Sequence, residues 1–208
     1  MKEHWRVSFL CLKWKNLDKR PNFIVGIGGS AGGLSAYKAI LNSLPGDTGM
    51  AFVIIAHLSP NHESLLTGIL AHKTPMPVIE AADAMIIEAN HVYVIPPNTD
   101  LLIKNGAFKV VSPRTMRGGR HKQVDNFLES LSDAMGEHAI SVILSGYDGD
   151  GTEGSLRSKA KGGKTFAQDM SALVDSMPLH AQASGCVDFV LPPEKIAEHL
   201  TAISGAAA

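Results

Sequence analysis

Apolar segments alternate with segments of helical periodicity along most of this chain, and this alternation restricts the fold more than any other feature. The segments 23–28, 50–56 and 139–144 have the length of strands and contain almost no polar residue. The segment 34–44 has its apolar residues at helical spacing. Because a strand that is apolar on both sides must be covered on both sides, the pattern predicts a parallel sheet with helices on both faces.

The remaining segments continue the alternation. Asn105-Gly106 lies between two apolar segments and predicts a β-hairpin. The other predicted strands are 77–80, 92–95, 165–168 and 187–190, the hairpin strands are 101–103 and 108–111, and the other predicted helices are 60–72, 123–135, 150–160 and 194–203. We therefore predict an α/β fold with a single doubly wound, mostly parallel sheet, helices on both faces and an inserted β-hairpin.

The chain is expected to contain one domain that follows a basic extension. Its 208 residues fit one domain, and no linker interrupts the segment 21–203. The first twenty residues contain six basic and two acidic side chains. We assign 1–20 to a basic N-terminal extension and 21–208 to the domain.

Composition and charge argue against several functions. The 19 Lys and Arg residues against 20 Asp and Glu give a net charge of −1, so nucleic-acid binding driven by bulk charge is not expected. No apolar segment reaches the roughly 18 residues of a membrane span, and the short one at 7–12 is followed by lysines instead of a cleavage site. Cys11 and Cys186 have no disulfide spacing, and the histidines form no metal-binding motif. We expect a cytoplasmic protein with no membrane insertion and no metal.

Three predicted strand ends carry the residues that are best suited to chemistry. Ligands of doubly wound sheets bind beyond the carboxyl ends of the strands. In this sequence those ends are the loops 26–33, 56–60 and 145–151, which contain glycines, three serines, a histidine and two aspartates. The functional site is therefore expected where these loops meet.

The first loop fits two motifs that imply different functions. Gly26, Gly28 and Ala31 fit the G-x-G-x-x-[GA] pattern of dinucleotide-binding oxidoreductases, in which small residues admit a pyrophosphate. Gly28, Ser30 and Gly32 fit G-x-S-x-G, in which a tight turn exposes a serine hydroxyl. The loop by itself does not decide between the two.

The end of the second strand favours the hydrolase. A nicotinamide-binding unit has an Asp or Glu there for the ribose hydroxyls, whereas this sequence has His57. An imidazole is a suitable general base for Ser30, and it needs a carboxylate to orient it. The third loop offers two carboxylates, Asp148 and Asp150, and glycine N–H groups for an oxyanion.

Each of these residues also has a structural interpretation. A serine at a helix start is often an N-cap, a histidine at a strand end is often only hydrogen-bonded, and an aspartate among glycines often forms an Asx turn. Their joint occurrence at three strand ends of one sheet strengthens the catalytic interpretation and leaves both open.

Seven short segments match one family of proteins in the same order. They are 26–33, 56–60, 92–97, 143–151, 167–169, 176–178 and 188–193. The chain resembles the catalytic domain of the chemotaxis protein-glutamate methylesterases (CheB type), and the resemblance runs in order over about 21–203. The segments 47–52 and 188–193 are similar to the branch that is often fused to a receptor methyltransferase.

The resemblance implies hydrolysis of glutamate γ-methyl esters on the cytoplasmic helices of chemoreceptors, and deamidation of certain receptor glutamines. It implies Ser30 as the nucleophile, His57 as the base and Asp150 as the third member of a triad. A receptor methyltransferase is an implied partner, and no cofactor is implied.

The resemblance also implies oxyanion or substrate contacts at Gly29, Ala31 and Tyr147. The sequence departs from the family where Asp148 replaces the middle glycine of the third loop, so this extra carboxylate is a rival to Asp150. Two other functions stay open: a non-catalytic signalling or partner-binding module of the same fold, and a nucleotide-binding oxidoreductase.

Overall fold

Seven parallel strands form the central sheet of the computed structural model, which describes residues 19–58, 64–116 and 121–206. The strands are β1 (Ile24–Gly29), β2 (Ala51–Ala56), β3 (Val78–Glu80), β4 (His91–Val94), β5 (Asp100–Lys104), β6 (Ala107–Val111), β7 (Ala139–Ile143), β8 (Lys164–Gln168) and β9 (Phe189–Leu191). The order in the large sheet is β3-β4-β2-β1-β7-β8-β9, and β5 pairs with β6 in a separate antiparallel hairpin. The predicted α/β fold is confirmed.

Helices cover both faces of this sheet. They are α1 (Gly33–Ser43), α2 (Leu66–Ala71), α3 (Gln123–Met135), α4 (Thr152–Ala160), α5 (Ser176–Ala183) and α6 (Pro193–Ala206). Side chains of α1, α2 and α6 join one apolar core, and those of α3, α5 and the hairpin join the other. Every residue of β1, β2 and β7 is buried, as expected for strands covered on both faces.

Helix α3 lies very close to β1 because two residues of that strand have no side chain. A Cβ atom at Gly26 would lie 2.6 Å from Leu128 Cδ2, and one at Gly28 would lie 2.3 Å from Val124 Cγ1. Helix packing therefore accounts for the two strand glycines that fit the dinucleotide pattern. The same close contact sets the N-terminus of α3 beside the loop that follows β7.

The predicted hairpin turn is confirmed in detail. Asn105 and Gly106 both have positive φ angles, 54° and 78°, as a type I′ turn requires. Lys104 pairs with Ala107 across this two-residue turn.

Two helices differ from the sequence prediction. Within the described residues, the helix predicted at 60–72 is confined to α2, and 59–63 lie outside those residues. Helix α5 was not predicted, because it is short, has Pro178 in its first turn and shows no clear apolar periodicity. A proline is compatible with the first turn of a helix, where the N–H groups lack intrahelical acceptors.

The predicted basic extension falls outside the described residues except for Lys19 and Arg20. In the part of the chain that the structure describes, no helix is long and apolar enough to cross a membrane.

Candidate active site

The loops after β1, β2 and β7 meet at one edge of the sheet. The chain first adds strands on one side of β1 and then, from β7 onward, on the other side, so the β1/β7 boundary is the topological switch point. Gly29 is the register partner of Ala56, and the next residues of the two strands are Ser30 and His57. Because neighbouring strands lie about 4.8 Å apart, Ser30 and His57 start from adjacent backbone positions.

The third loop contributes Asp150 to this edge. Asp150 Oδ2 lies 2.8 Å from His57 Nε2, and the side chains are 2% and 20% exposed. The rival carboxylate takes another role, because Asp148 Oδ1 accepts the backbone N–H of Asp150 at 2.9 Å. Asp148 has a φ angle of 62°, and this Asx turn fixes the backbone that presents Asp150.

The contact with Asp150 sets the tautomer of His57. A carboxylate oxygen only accepts hydrogen bonds, so Nε2 carries the proton that is shared with Asp150. In the neutral ring the lone pair is then on Nδ1, which becomes the basic atom. The usual serine triad has these two nitrogens the other way round.

Asp150 itself is held by the start of α3. Its Oδ2 also accepts the N–H of Val124 at 3.0 Å, and its Oδ1 accepts the N–H of Asp125 at 2.9 Å. These N–H groups have no intrahelical acceptor, and the helix dipole favours a negative charge there. Both carboxylate oxygens are therefore fixed before substrate binds.

Ser145 holds the loop that carries Ser30. Its carbonyl oxygen accepts the N–H of Ser30 at 2.9 Å. Its hydroxyl donates to the carbonyl oxygen of Ala31 at 2.8 Å and accepts the N–H of Val174 at 2.9 Å. Its own N–H donates to Oε1 of the buried Gln168 at 3.0 Å. Sequence reasoning did not single out Ser145 or Gln168, since their roles depend on which backbone groups the fold brings near them.

The Ser30 side chain is partly exposed at this edge. Gly146 gives it room, because a Cβ atom there would lie 3.0 Å from Ser30 Cβ and 2.1 Å from Met177 Sδ. Among the described residues, the Ser30 hydroxyl makes no hydrogen bond to His57. Catalytic hydrogen bonds are often long before substrate binds and shorten in the substrate complex.

Backbone N–H groups suited to an oxyanion lie on both sides of Ser30. Within the described ranges, the N–H groups of Ala31 and Tyr147 have no backbone acceptor, whereas the N–H of Ser30 is used by Ser145. Gly29 is the last residue of β1, and a Cβ atom there would lie 2.6 Å from the hydroxyl oxygen of the buried Tyr37.

A cavity of about 150 Å³ lies beside Asp150. It is lined by His121, Lys122, Asp148, Gly149, Asp150 and His180. In the described residues, no group of three or more His, Cys, Asp or Glu side chains has the arrangement of a metal site.

Comparison with known proteins shows which family the chain resembles. The family model described as CheB methylesterase matches residues 25–200. A crystal structure of the Thermotoga maritima CheB methylesterase catalytic domain superposes with a TM-score of 0.80 at 29% identity, covering 87% of this chain and 98% of that one.

Curated relatives match over most of the chain. The protein-glutamate methylesterase/protein-glutamine glutaminase of group 3 operon of Rhizobium meliloti is 33% identical over 187 residues, which is 89% of this chain and 53% of the relative. Protein-glutamate methylesterase/protein-glutamine glutaminase 3 of Anaeromyxobacter dehalogenans is 32% identical and covers 85% of this chain, which in turn covers 52% of it. The chain thus spans about half the length of these two relatives, but 90% of a Leptospira interrogans relative that is 36% identical.

Proposed function

Because the chain belongs to the CheB methylesterase family, we propose that it hydrolyses glutamate γ-methyl esters on the cytoplasmic helices of chemoreceptors, in the adaptation of chemotaxis-type signalling. The proposal includes deamidation of receptor glutamines, since the relatives carry both activities in their names. A receptor methyltransferase, which forms such esters, is the proposed partner. The proposed location is the cytoplasm, where these receptor helices lie.

The His57–Asp150 pair beside the Ser30 loop is the observation that carries this proposal. A histidine with only a structural role needs no buried carboxylate that is itself fixed by two helix N–H groups. A carboxylate in that position orients the imidazole and stabilises the imidazolium that forms during acyl transfer.

The proposed first half-reaction forms an ester between the substrate glutamyl group and Ser30. His57 Nδ1 takes the hydroxyl proton while Ser30 Oγ attacks the ester carbonyl carbon, and the carbonyl oxygen becomes an oxyanion. The N–H groups of Ala31 and Tyr147 donate to that oxygen. The C–O bond to the methoxy group then breaks, and His57 gives its proton to the departing methanol.

The second half-reaction hydrolyses this intermediate. Water takes the place of methanol and loses a proton to His57 as it attacks the acyl carbon. The bond to Ser30 Oγ breaks, the serine recovers its proton from His57, and a glutamate side chain is released. With a glutamine substrate the same steps release ammonia instead of methanol.

Methanol release from methylated chemoreceptor membranes tests the proposal. The protein is expected to release methanol in a time-dependent and saturable way, and boiled protein is the blank. Absence of methanol together with retention of the protein on the receptor membranes would show a non-catalytic binding module and refute the esterase.

The oxidoreductase alternative receives no support from the loop after β1. The space beside Gly26 and Gly28 is occupied by Leu128 and Val124, and the residue that follows β2 is His57 rather than an acidic residue. Titration with NAD or NADP in a calorimeter is expected to give no heat of binding.

A further inference from the structure

A second buried carboxylate, that of Asp125, lies next to Asp150 and has no part in the mechanism above. Asp125 is fully buried in the first turn of α3. Its Oδ1 accepts the N–H of Gly151 at 2.9 Å and the N–H of Gly154 at 2.9 Å, both at the start of α4.

The two aspartates therefore bind each other's helix. Asp150, two residues before the first residue of α4, binds N–H groups of α3, and Asp125, in α3, binds N–H groups at the start of α4. One of the N–H groups bound by Asp150 belongs to Asp125 itself, and one of those bound by Asp125 belongs to Gly151, the neighbour of Asp150. A displacement of either carboxylate would move the backbone that carries the other.

The two helices are close enough for this exchange because glycines lie between them. A Cβ atom at Gly154 would lie 2.5 Å from Leu128 Cβ, and one at Gly151 would lie 2.8 Å from Val124 Cγ1. Gly151 also has a φ angle of 95°, which favours glycine, and it immediately precedes α4.

The hydrogen bond from the N–H of Gly154 and the charge of Lys122 do not offset the cost of burying the charge of Asp125. Burial and the neighbouring negative charge of Asp150 raise the pKa of Asp125 to about 6. Lys122 Nζ lies 3.3 Å from Asp125 Oδ2 but only 2.6 Å from Glu153 Oε1. An ionised carboxylate at this position thus lowers the stability of the protein at neutral pH. Its contribution is the pair of hydrogen bonds that hold the start of α4.

We propose that Asp125 is a positioning residue of the active site, which fixes the Asp150 carboxylate and through it the His57 ring by binding the backbone N–H groups at the start of α4. The proposal rests on the esterase function proposed above. Asp125 touches no reacting atom, so its effect must pass through Asp150.

Variants of Asp125 in two backgrounds test this role. Asp125→Ala is expected to lower kcat for methanol release about tenfold or more with KM within about twofold, because the loss is in the alignment of the catalytic pair. Asp125→Asn is expected to keep kcat within about threefold, since its amide oxygen can accept the same two N–H groups. In an Asp150→Asn background, Asp125→Ala is expected to lower the residual kcat by less than about threefold, because the group it positions is already disabled.

Asp133→Ala is the matched control. Asp133 also lies on α3 and joins α4 through Arg157, but on the exposed surface. Its replacement is expected to leave kcat unchanged. The proposal is overturned if Asp125→Ala leaves kcat unchanged, or lowers it by the same factor in both backgrounds. If Asp125→Ala does not fold, Asp125→Ser is used in its place, because the serine side chain is shorter and has only one acceptor oxygen. The same results are then expected, and the same results would overturn the proposal.

A spectroscopic signal separates this proposal from the esterase function. The Nε2 proton of His57 is expected to give a downfield NMR resonance in the wild-type protein and in Asp125→Asn, and to be lost by exchange in Asp125→Ala. Absence of methanol release from the wild-type protein refutes the proposed function but not the positioning role of Asp125. The His57 resonance tests that role without activity, and persistence of the resonance in Asp125→Ala overturns it.

Discussion

At the scale of single residues, His57 decides which atoms can take part in proton transfer. Its Nε2 is hydrogen-bonded to Asp150, so in the proposed mechanism its Nδ1 exchanges protons with Ser30 and the leaving group. The basic nitrogen therefore differs from that of the usual serine triad, although the chemistry is the same. The catalytic roles themselves remain predictions that the variants below test.

The two aspartates of the third loop are expected to respond differently to the same substitution. Asp150→Asn should lower kcat by about two or more orders of magnitude, because an amide favours the wrong imidazole tautomer and carries no charge. Asp148→Asn should change kcat by less than about threefold, because asparagine also forms an Asx turn and tolerates a positive φ angle. Steady-state methanol release measures both. A larger loss for Asp148→Asn would mean that this residue is the partner of His57.

The raised pKa of Asp125 predicts a pH dependence of stability. Between the ordinary value of 3.8 and about 6, the folded protein binds more protons than the unfolded chain. The neutral carboxyl of Asp125 is favoured in the folded protein, so its contribution to stability is fully present below about pH 4. This contribution is lost as the pH rises through 6 and the carboxyl ionises in the folded protein. Asparagine stays neutral at all pH values, so Asp125→Asn is expected to be more stable than the wild type at pH 7–8, by roughly 3 kcal/mol at most.

Urea denaturation of both proteins at pH 4 and pH 7.5 measures this difference. The free energies of unfolding should nearly agree at pH 4 and diverge at pH 7.5, with the variant higher. A variant that is less stable than the wild type at pH 7.5 would show that the ionised carboxylate stabilises the fold.

Part of the site could be predicted at this scale and part could not. Ser30, His57 and the pair Asp148 and Asp150 could be found because their side chains follow strand ends in a recognisable pattern, and the family resemblance favoured Asp150. Asp125 and Ser145 act through backbone N–H and C=O groups of distant segments, and the sequence does not encode such contacts locally. The choice between Asp148 and Asp150 likewise needed the structure, because both precede a glycine in the same loop.

At the scale of elements, the contact between β1 and α3 fixes the start of α3 next to Asp150. Gly28→Ala is expected to lower the free energy of unfolding by about 1–3 kcal/mol, because its methyl group would overlap Val124. Urea denaturation measures this loss. Adding Val124→Ala should restore part of the stability, since it removes the atoms that clash.

Gly68→Ala provides the comparison for that substitution. Gly68 lies in α2, and a Cβ atom there meets no atom of the described residues within 4 Å, so the free energy of unfolding should stay the same or rise by up to about 1 kcal/mol. Equal effects of Gly28→Ala and Gly68→Ala would contradict the proposed packing role of Gly28.

The elements themselves were predictable where local signals are strong. The type I′ turn at Asn105-Gly106 and the helix at 123–135 follow from turn chemistry and from periodicity. Helix α5 has only eight residues and is stabilised by burial of Met177 and Ala181 in a core built from other segments. Its formation depends on tertiary contacts, which local sequence does not show.

At the scale of the whole molecule, the strand order brings the three loops together. Ser30, His57 and Asp150 are separated by up to 120 residues in sequence, yet they follow three strands that are adjacent in the sheet. The alternation of strands and helices predicts a doubly wound sheet, and the doubly wound topology predicts a site at the carboxyl edge. The exact strand order was not predictable, because sequence patterns show which segments are strands but not which of them are neighbours.

Comparison of two serine variants tests the central claim most directly. Methanol release from methylated chemoreceptor membranes is measured for Ser30→Ala and for Ser35→Ala, an exposed serine whose hydroxyl donates to the carbonyl oxygen of Gly32 in the same loop. Ser30→Ala should lower kcat by about three orders of magnitude or more, and Ser35→Ala should leave it within about twofold of the wild type. Retention of more than a few per cent of the activity in a folded Ser30→Ala protein would contradict the account, because hydrolysis would then not pass through this serine.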